Sequence, residues 1–408
     1  MGFVIIFDVM YTYDSRKINK GDIFICLPGG EAYIEQALAQ GAEEVIQMSR
    51  PEMAVFADKL YGSPSKKMKV VGVTGTNGKT TVTHLTAQAL REAGFKPYVL
   101  GTMNSDLTTP ESLDIQKLMA DHLNTGGTHF IMEVSSHGID QSRVLAIDFD
   151  VKLLTNITQD HLDYHKTIRE YKRVKQHFMQ MWPGLSIMPE QFKMIELPFP
   201  VPLPGRFNYE NIQAATAILR ALDSPDSSIF QSMRNAKAPA GRFEQILLGQ
   251  PFKVIVDYAH TPDGLKNVLI EGRHMADQNQ GRLAAVFGCG GDRDRNKRHK
   301  MAGVAETYSD FVFVTQDNPR TESQSQIIAD IIKGFSKEFK RFKHINERDK
   351  AIREAVFWAG ENDVVIIAGK GHEDYQILET GKIHFDDREK ASEALNERGY
   401  VCVAYGCV

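Results

Sequence analysis

The sequence contains little cysteine, and none of its four cysteines forms a close pair with the spacing of a zinc site. Scattered cysteines are typical of a reducing compartment, where thiols remain free. We therefore expect a cytoplasmic protein without disulfide bonds. The four residues are Cys26, Cys289, Cys402 and Cys407.

Long apolar runs are also absent, since no run approaches the roughly 20 residues that a membrane-spanning helix needs. The first segment, MGFVIIFDVMYTYDSR, has one short apolar run, which is broken by Asp8. It has neither a basic segment nor a small-residue cleavage site, so we expect no signal peptide. The run at Val4–Phe7 predicts a buried strand.

An excess of charge of one sign is missing as well. The 48 Lys and Arg residues nearly balance the 52 Asp and Glu residues, and the net charge is −4. Without a basic surface, nucleic acid is not an expected partner. A chain of 408 residues, at about 100–200 residues per domain, predicts roughly two to four domains.

Strand-like and helix-like segments alternate in three blocks. Residues 1–66 predict a small N-terminal α/β domain, with the strand GDIFICLPG, the helix AYIEQALAQGA and the strand EEVIQ. Residues 62–67, GSPSKK, predict an exposed linker. Residues 67–236 predict a central domain with the strands KVVGVTG, KPYVLG, THFIMEVSS and FDVKLLTNIT. Such alternation indicates a mainly parallel sheet covered on both faces.

Residues 237–408 predict a C-terminal Rossmann-like α/β domain. Its strands are FKVIVDYAH, RLAAVFGCGG, DFVFVTQDN and NDVVIIAGKG, with helical segments between them. The proline-rich stretch at 188–206 predicts irregular backbone. The fold class expected for the whole chain is therefore α/β with three domains.

A phosphate-binding loop (P-loop) is predicted where the strand KVVGVTG meets the following helix. Glycines let backbone N–H groups surround phosphate oxygens, and the helix N-terminus adds partial positive charge. Lys79 is expected to neutralise the β- and γ-phosphates and Thr80 to bind Mg²⁺. Val73 replaces the first glycine of the general pattern, so the loop is a short variant; a simple tight turn is the alternative. The loop residues are Gly75, Thr76, Asn77, Gly78, Lys79, Thr80 and Thr81.

Nine segments follow one another in an order that resembles the Mur ligase superfamily. They are VTGTNGKTT, MEVSSHG, TNITQDHLDYH, GRFNYEN, GRFE, DYAHTPD, FGCGGDRD, DNPR and AGKGHEDY. Within that superfamily they are similar to the UDP-N-acetylmuramoyl-tripeptide synthetases (the MurE type) of peptidoglycan synthesis.

The resemblance implies an ATP-dependent amide ligase that adds meso-diaminopimelate to UDP-N-acetylmuramoyl-L-alanyl-D-glutamate through an acyl phosphate. It implies that residues 1–66 bind the UDP-sugar, residues 67–236 bind ATP and residues 237–408 bind the amino acid. We expect a monomer whose partners are these small molecules.

Glu133, His161 and Lys175 match metal-binding positions of the family. Glu133 closes the predicted strand IMEV at its carboxyl end, where α/β sheets place ligand sites, and a carboxylate is a suitable ligand for Mg²⁺. His161 resembles the family's ligand for a second Mg²⁺. A local ion pair for Glu133 and a hydrogen-bonded loop position for His161 are the alternatives.

Lys175 matches a lysine that CO₂ carbamylates in the family, which creates an anion able to hold Mg²⁺. This reaction needs the neutral amine, so we expect burial or a nearby cation to lower the lysine pKa. A solvated helix lysine beside Lys172 and Arg173 is the alternative.

Further matches concern ATP. Asn208 and Asn211 resemble the pair whose amides reach the adenine, since amides both donate and accept hydrogen bonds. Capping of the following helix by Asn208 is the alternative. Arg242 resembles the arginine that the family directs at the γ-phosphate, where it would stabilise charge in the transition state.

Six residues match contacts to the UDP-muramoyl-dipeptide, and an arginine among them is suited to grip a carboxylate. For the two threonines, capping of the turn before Pro110 is the alternative. The six residues are Ser15, Thr108, Thr109, Ser135, Gln141 and Arg143.

Seven residues match the site for diaminopimelate, which differs from lysine by a carboxylate at its far end. Arg293 and Arg320 are expected to bind that carboxylate, while Asp317 and Glu373 are expected to pair with ammonium groups. A surface ion pair is the alternative for Arg320. The seven residues are Arg293, Asp317, Asn318, Pro319, Arg320, Gly369 and Glu373.

The chain departs from the family in two places. The stretch LPGGEAYIEQAL lacks residues that the family carries in its first domain, and a connection at 181–204 replaces several strands and helices of the central domain. These departures leave two alternatives open: a lysine-adding or other ligase of the superfamily, such as a folylpolyglutamate synthetase, and a degenerate nucleotide-binding protein without catalysis.

Overall fold

The computed structural model describes residues 10–401, and these residues pack as two compact units. One unit comprises residues 10–74, 90–154 and 174–187, and the other comprises residues 75–89, 155–173 and 188–401. The strand predicted at Val4–Phe7 and the cysteines at 402 and 407 lie outside the described residues.

A small parallel sheet of three strands, in the order β1-β2-β3, begins the first unit. Side chains alternate across β2: Phe24 and Cys26 pack on Ala37, whereas Ile25 packs on Met53. The predicted elements of the first block are therefore confirmed. Their bounds are β1 Tyr11–Thr12, β2 Ile23–Cys26, α1 Ile34–Ala39, β3 Glu44–Gln47 and α2 Arg50–Leu60, with 3₁₀ turns at Ser15–Lys17 and Glu31–Tyr33.

The predicted linker at 62–67 is instead a 3₁₀ helix, Pro64–Lys67, in which Pro64 and Ser65 are buried. Ser65 Oγ accepts a hydrogen bond from the backbone N–H of Asp148 at 3.2 Å. The expectation of exposed irregular backbone was wrong, because a tertiary hydrogen bond outweighs the local preference of Gly, Pro, Ser and Lys for exposed loops.

The central sheet has five parallel strands in the order β5-β6-β4-β7-β8, as the alternation of strands and helices predicted. The last strand and α8 occupy the stretch where the family was expected to carry additional elements, and α8 corrects the prediction of wholly irregular backbone at 188–206. The bounds are β4 Lys69–Thr74, α3 Lys79–Glu92, β5 Pro97–Leu100, α4 Ser112–Asn124, β6 His129–Glu133, α5 Ser136–Asp140, β7 Val151–Leu154, α6 Leu162–His165, α7 Ile168–Met181, β8 Leu185–Ile187 and α8 Pro189–Phe192.

A six-stranded sheet in the order β13-β12-β11-β14-β10-β9 forms the core of the second unit. All its pairs are parallel except β9 with β10, so a Rossmann-like α/β sheet is observed. Two apolar clusters, centred on Ile366 and Ile367, cover its two faces.

The remaining elements are α9 Arg206–Ala221, α10 Asp226–Arg234, β9 Glu244–Ile246, β10 Lys253–Asp257, α11 Pro262–Gln278, β11 Leu283–Phe287, α12 Asn296–Tyr308, β12 Phe311–Val314, α13 Gln324–Ile332, β13 Phe342–His344, α14 Arg348–Trp358, β14 Val364–Ala368, β15 Tyr375–Leu378, β16 Gly381–His384 and α15 Asp387–Glu397. β15 and β16 form a separate hairpin.

The carboxyl ends of the parallel strands carry most of the predicted site residues, as is usual for open α/β sheets. In the central sheet, β4 leads into Gly75 and β6 ends at Glu133. In the C-terminal sheet, Asp317 follows β12 and Gly369 follows β14.

Candidate functional site

The P-loop folds tightly around the ammonium group of Lys79. Lys79 Nζ donates to the carbonyl oxygens of Gly75 and Thr76, both at 2.9 Å. Gly75 has φ 144° and Gly78 has φ 88°. A Cβ atom on Gly75 would lie 1.8 Å from Thr155 Oγ1, and a Cβ atom on Gly78 would lie 2.5 Å from Asn211 Oδ1. Only glycine therefore fits at these two positions.

Side chains from distant parts of the sequence hold the loop in place. The backbone N–H of Asn77 donates to Asn156 Oδ1 at 3.0 Å, and Asn77 Nδ2 donates to Asp263 Oδ2 at 2.9 Å. Asp263 Oδ2 also accepts from Thr158 Oγ1 at 3.0 Å. Asp263 lies in the first turn of α11, so the C-terminal part of the chain contributes directly to the geometry of the loop.

Arg242 reaches the P-loop hydroxyl expected to bind magnesium. Its Nη2 donates to Thr80 Oγ1 at 2.9 Å, and its guanidinium carbon lies 4.4 Å from the centroid of the Tyr258 ring. The buried carboxylate of Asp257 accepts from the backbone N–H of Phe243 at 2.7 Å, and burial raises the pKa of Asp257. The Tyr258 ring therefore packs against the Arg242 guanidinium, and Asp257 fixes the backbone of the neighbouring Phe243.

The loop that carries Arg242 touches the loop that follows β14. A Cβ atom on Gly241 would lie 2.1 Å from the backbone carbon of Gly371, and a Cβ on Gly371 would lie 2.6 Å from Gly241 O. Both glycines also have positive φ, 65° and 55°. The two backbones are in contact at a place where no side chain fits.

The two asparagines predicted to reach adenine lie one turn apart inside α9. Asn211 Nδ2 donates to Asn208 Oδ1 at 3.2 Å, and Asn208 Nδ2 donates to Pro204 O at 2.8 Å. The N-cap of the helix is Gly205, so capping by Asn208 was wrong. Asn211 Oδ1 lies against Gly78, which brings this pair to the P-loop.

His161 precedes the short helix α6 with a positive φ of 52°. Its Nε2 lies 3.3 Å from Asp160 Oδ2. Burial opposes ionisation of Asp160, but the neighbouring His161 holds the pKa of its carboxyl below the usual value. His260 Nδ1 lies 2.8 Å from the Tyr258 carbonyl, which can only accept, so this nitrogen carries the hydrogen. Burial lowers the pKa of His260 to about 4, so its Nε2 is unprotonated at neutral pH.

In the first unit, Glu133 and Lys175 are both buried, each with 1% of its surface exposed. Glu133 Oε1 accepts from the backbone N–H of Thr102 at 3.0 Å, and Lys175 Nζ donates to Thr74 Oγ1 at 3.2 Å. Lys172, one turn earlier on α7, is exposed. The alternative of a solvated lysine at 175 is therefore wrong.

Hydrogen bonds of Thr109 connect the residues that are predicted to contact the acyl substrate. Its hydroxyl donates to Glu133 O at 2.9 Å and accepts from the backbone N–H of Ser135 at 2.9 Å, so it does not cap a turn. Arg143 donates to Thr109 O at 2.7 Å and to Gln141 Oε1 at 2.5 Å.

Two other predicted residues make local contacts in the same unit. Thr108 Oγ1 lies 3.1 Å from Thr102 Oγ1, which also contacts Glu133. Ser15 donates to Gln36 Oε1 at 3.1 Å beside the three-stranded sheet.

An ion-pair network that the sequence did not indicate surrounds Arg143. Glu111, which is 4% exposed, lies 3.3 Å from Arg143 Nε and 3.1 Å from Arg50 Nε. Two guanidinium groups share one carboxylate, and guanidinium groups are suited to bind an acidic substrate.

The two arginines predicted to bind the distal carboxylate both lie beside Gly290. A Cβ atom there would be 2.9 Å from Arg320 Nη1 and 3.8 Å from Arg293 Cγ. Arg320 Nη1 donates to Gly291 O at 3.0 Å and to Asn318 O at 3.3 Å. These neutral acceptors orient the guanidinium without cancelling its charge, in contrast to the alternative of a surface ion pair.

The acidic residues predicted to bind the amine substrate lie on neighbouring loops of the same sheet. Asn318 Nδ2 donates to Glu373 Oε2 at 3.0 Å. A Cβ on Gly369, which has φ 125°, would lie 2.8 Å from Asp317 Oδ2. The segments DNPR and AGKGHEDY are thus brought together, as the resemblance implied.

Comparison with known proteins agrees with this geometry. The Mur ligase middle domain model matches residues 73–191, and the Mur ligase glutamate ligase domain model matches residues 241–371. The UDP-N-acetylmuramoyl-L-alanyl-D-glutamate–2,6-diaminopimelate ligase of Geobacillus kaustophilus is 37% identical over 96% of this chain and 95% of its own length. The ligase of the same name from Syntrophomonas wolfei is 38% identical over 94% of both chains.

The chain belongs to the Mur ligase family. This family consists of ATP-dependent ligases that form amide bonds and use Mg²⁺.

Solved structures place the fold in the same family. A UDP-N-acetylmuramoyl-L-alanyl-D-glutamate–2,6-diaminopimelate ligase is 28% identical, covers 96% of this chain and 95% of its own, and superposes with a TM-score of 0.60. The MurF ligase of Thermotoga maritima in complex with ADP, at 16% identity and a TM-score of 0.63, shares the fold. The expected α/β fold class with mainly parallel sheets is confirmed.

The alignment with the Geobacillus relative spans 469 positions, more than the 408 residues of this Mur ligase. The relative therefore has residues that this chain lacks, in agreement with the shortened stretches noted in the sequence.

Sequence reasoning missed several residues that shape the site of this Mur ligase. Asp263 and Tyr258 belong to DYAHTPD, and Lys370 belongs to AGKGHEDY, so their segments were noted while their contacts were not. A charged residue between two glycines directly after a strand, as at Lys370, was the available signal.

None of the helices within residues 10–401 of this Mur ligase combines the length and apolar character needed to cross a bilayer. Within the same residues, no cluster of three or more His, Cys, Asp or Glu side chains could hold a metal by itself.

Proposed function

We propose that this Mur ligase joins meso-diaminopimelate to UDP-N-acetylmuramoyl-L-alanyl-D-glutamate, with conversion of ATP to ADP and phosphate, in the synthesis of peptidoglycan precursors. The observation that carries the proposal is the identity of 36–38% with relatives of that named activity over at least 94% of the chain. The two arginines beside Gly290 agree with an amino acid that carries a second carboxylate.

The first step transfers the γ-phosphoryl group. A carboxylate oxygen of the acyl substrate attacks the γ-phosphorus, the bond to the β-phosphate oxygen breaks, and ADP and an acyl phosphate result. Lys79 and Arg242 supply positive charge where the phosphoryl oxygens develop charge. The hydrogen bond from Arg242 to Thr80 supports this assignment, because it places the guanidinium at the P-loop.

Magnesium fits the residues of the loop. Mg²⁺ bound with a nucleotide needs only one or two protein oxygen ligands, since phosphates and water complete its octahedral shell. The hydroxyl of Thr80 is such a ligand, and Glu133 and His161 are proposed as further ligands. Bound Mg²⁺ would neutralise phosphate charge during the transfer.

Lys175 is proposed to carry a carbamate. In that reaction the neutral Nζ attacks CO₂, a C–N bond forms and a proton is released, which converts a cation into an anion. The burial of Lys175 supports the proposal, because burial disfavours the ammonium form that cannot react. An anion at this position would add a carboxylate-type ligand for Mg²⁺.

The acyl substrate is proposed to bind at the network around Thr109. Arg143 is oriented by Gln141 and Glu111, so its guanidinium is preorganised for a carboxylate of the peptide. Ser15, Thr108 and Ser135 are proposed to contact the remainder of the UDP-muramoyl-dipeptide.

The second step forms the amide bond. The neutral amine of diaminopimelate attacks the acyl carbonyl carbon, and inorganic phosphate leaves as the C–O bond breaks. We propose that Arg293 and Arg320 hold the distal carboxylate, and that Asp317, Asn318, Pro319, Gly369 and Glu373 line the rest of the amine site.

The assignment of domains also belongs to the proposal. Residues 1–66 would bind the UDP-sugar, residues 67–236 ATP, and residues 237–408 the amino acid. The protein is proposed to be a cytoplasmic monomer, and the free, buried thiols of Cys26 and Cys289 agree with a reducing compartment.

A coupled assay for ADP release tests the proposal. The purified protein should release ADP when ATP, Mg²⁺, UDP-N-acetylmuramoyl-L-alanyl-D-glutamate and meso-diaminopimelate are all present, and mass spectrometry should detect the tripeptide product. Lysine and glutamate serve as alternative amines. Faster turnover with either of them, or no turnover with any of the three, would overturn the assignment.

A further inference from the structure

Lys370 is a fully buried cation within the loop that follows β14. None of its surface is exposed, and it stands between Gly369 and Gly371, whose positive φ values fix the direction of the loop. Burial of a charged lysine is costly unless the ammonium is paired and hydrogen-bonded. The partners of Lys370 therefore indicate its role.

Those partners are two residues of the proposed amine site. Lys370 Nζ donates to Glu373 Oε2 at 2.9 Å and to Asn318 Oδ1 at 3.3 Å. It also lies 5.3 Å from the centroid of the Tyr375 ring, which adds a cation–π contact. One ammonium group thus joins the DNPR segment to the AGKGHEDY segment.

The ammonium group also sets the orientation of the Asn318 amide. An ammonium can only donate, so the oxygen Oδ1 must face Lys370 and the N–H₂ group must face Glu373. Oδ1 also accepts from the backbone N–H of Ile377 at 2.9 Å, which agrees with this orientation. Both bonds to Glu373 go to Oε2, and neither uses Oε1 of the same carboxylate.

Several cations act on Asp317, the acidic residue that precedes Asn318. Burial opposes ionisation of Asp317, but Lys370 and then Arg348 hold the pKa of its carboxyl below the usual value. Arg348 is already paired with Asp387 at 2.7 Å. Lys297 also lowers the pKa of Asp317. Lys370 is therefore one of several cations that act on this carboxyl, and it donates directly to Glu373 and Asn318.

We propose that Lys370 is a positioning residue for the amine substrate, which holds Asn318 and Glu373 so that Glu373 Oε1 receives one ammonium group of a diamino acid. This inference rests on the proposed function.

Kinetics of Lys370→Met test the inference, because methionine keeps the length of the side chain and removes the ammonium. The KM for the amine should rise about 10–100-fold, the range expected for hydrogen bonds to a charged group, while the KM for ATP stays unchanged. Lys370→Arg, which keeps the charge, should recover part of the loss.

Lys382→Met is the matched control. Lys382 Nζ lies 3.8 Å from the centroid of the same Tyr375 ring, but this lysine is exposed on β16. It makes the aromatic contact without the buried ammonium network, so its kinetic constants should match those of the wild type.

Other outcomes are equally distinct. A fall in kcat with an unchanged amine KM, or wild-type constants for Lys370→Met, would overturn the inference. ADP affinity measured by calorimetry shows whether each variant is folded, and Lys370→Gln replaces the methionine variant if that one does not bind ADP.

The amine used is whichever donor the wild type accepts. A wild type that prefers another amine would refute the proposed function, whereas the ratio of variant to wild-type KM still tests Lys370.

Discussion

Arg242 Nη2 donates to Thr80 Oγ1 at 2.9 Å, although the two residues are separated by 162 positions in the sequence. This hydrogen bond joins the GRFE segment to the P-loop, and the ring of Tyr258 packs against the guanidinium. The arginine is thus held where phosphoryl transfer would develop negative charge.

Arg242→Ala should lower kcat for ADP release by about 10²–10³-fold, because one preorganised donor to the transition state is lost. Arg242→Lys should recover little, since an ammonium cannot both stack on Tyr258 and reach Thr80 with the geometry of a guanidinium. The matched control is Arg206→Ala, at a side chain that is 88% exposed on α9. Equal kcat values for the two alanine variants would contradict the role of Arg242.

Lys175→Gln should lower activity by about 10–100-fold or more, since the proposed carbamate could not form and Mg²⁺ would lose a ligand. The wild type should respond to added bicarbonate in CO₂-depleted buffer, and the variant should not. Lys172→Gln changes an exposed lysine on the same helix and should behave as the wild type. Bicarbonate dependence that persists in the Lys175 variant would exclude a carbamate at this residue.

Arg320→Ala should lower kcat/KM for meso-diaminopimelate by about 10²–10³-fold, because the distal carboxylate would lose a charged partner. The kcat/KM for lysine should change far less, so the ratio between the two amines should shrink. Competition assays with both amines measure that ratio directly. Arg341→Ala, at an exposed arginine, provides the control, and an unchanged ratio in the Arg320 variant would argue against a contact with the carboxylate.

Arg348→Met should destabilise the second unit by about 3–5 kcal/mol, because Asp387 would remain as a buried charge without its partner. Both side chains are fully buried, and Arg348 binds both oxygens of Asp387 at 2.7 Å. Urea unfolding followed by the fluorescence of Trp358, in the same helix, measures the change.

Arg353→Met removes an exposed ion pair from that helix and should cost only about 0–1 kcal/mol. Similar free energies of unfolding for the two variants would show that Arg348 contributes no more than a surface pair.

The free energy of unfolding should decrease in acid because Glu322 becomes protonated. Its hydrogen bonds with Arg298 lower the pKa of Glu322 from its ordinary 4.5 to about 2. The unfolded chain therefore takes up this proton at a higher pH than the folded chain does. The stabilisation is complete above the ordinary pKa and is lost as the pH falls from there towards 2. Glu322→Gln should flatten this part of a pH series of unfolding free energies, whereas Glu338→Gln, at an exposed glutamate, should not.

Strong local patterns made much of the fold predictable. The run KVVGVTG followed by GTNGKTT correctly predicted β4, the loop and α3, because strand, glycine and helix signals occur in succession. The connection at 181–204 was harder to interpret. β8 is three residues long and forms by pairing with β7, a contact between distant residues that local sequence does not reveal.

The candidate site was predictable in its residues but less so in its contacts. The neighbours Lys172 and Arg173 suggested that Lys175 could face solvent, yet the turn of α7 buries it. Asn208 was a reasonable helix cap until Gly205 proved to occupy that position. Partnerships such as Asp263 with Asn77 depend on tertiary folding and leave no signal in local sequence.

The contact between Gly241 and Gly371 restricts how this protein can change over time. Any substitution at either glycine would force apart the segment bearing the phosphate-directed arginine and the segment bearing the buried lysine. Substitutions that change the amine specificity must therefore occur at other positions. Both glycines are expected to be among the least variable residues in orthologues.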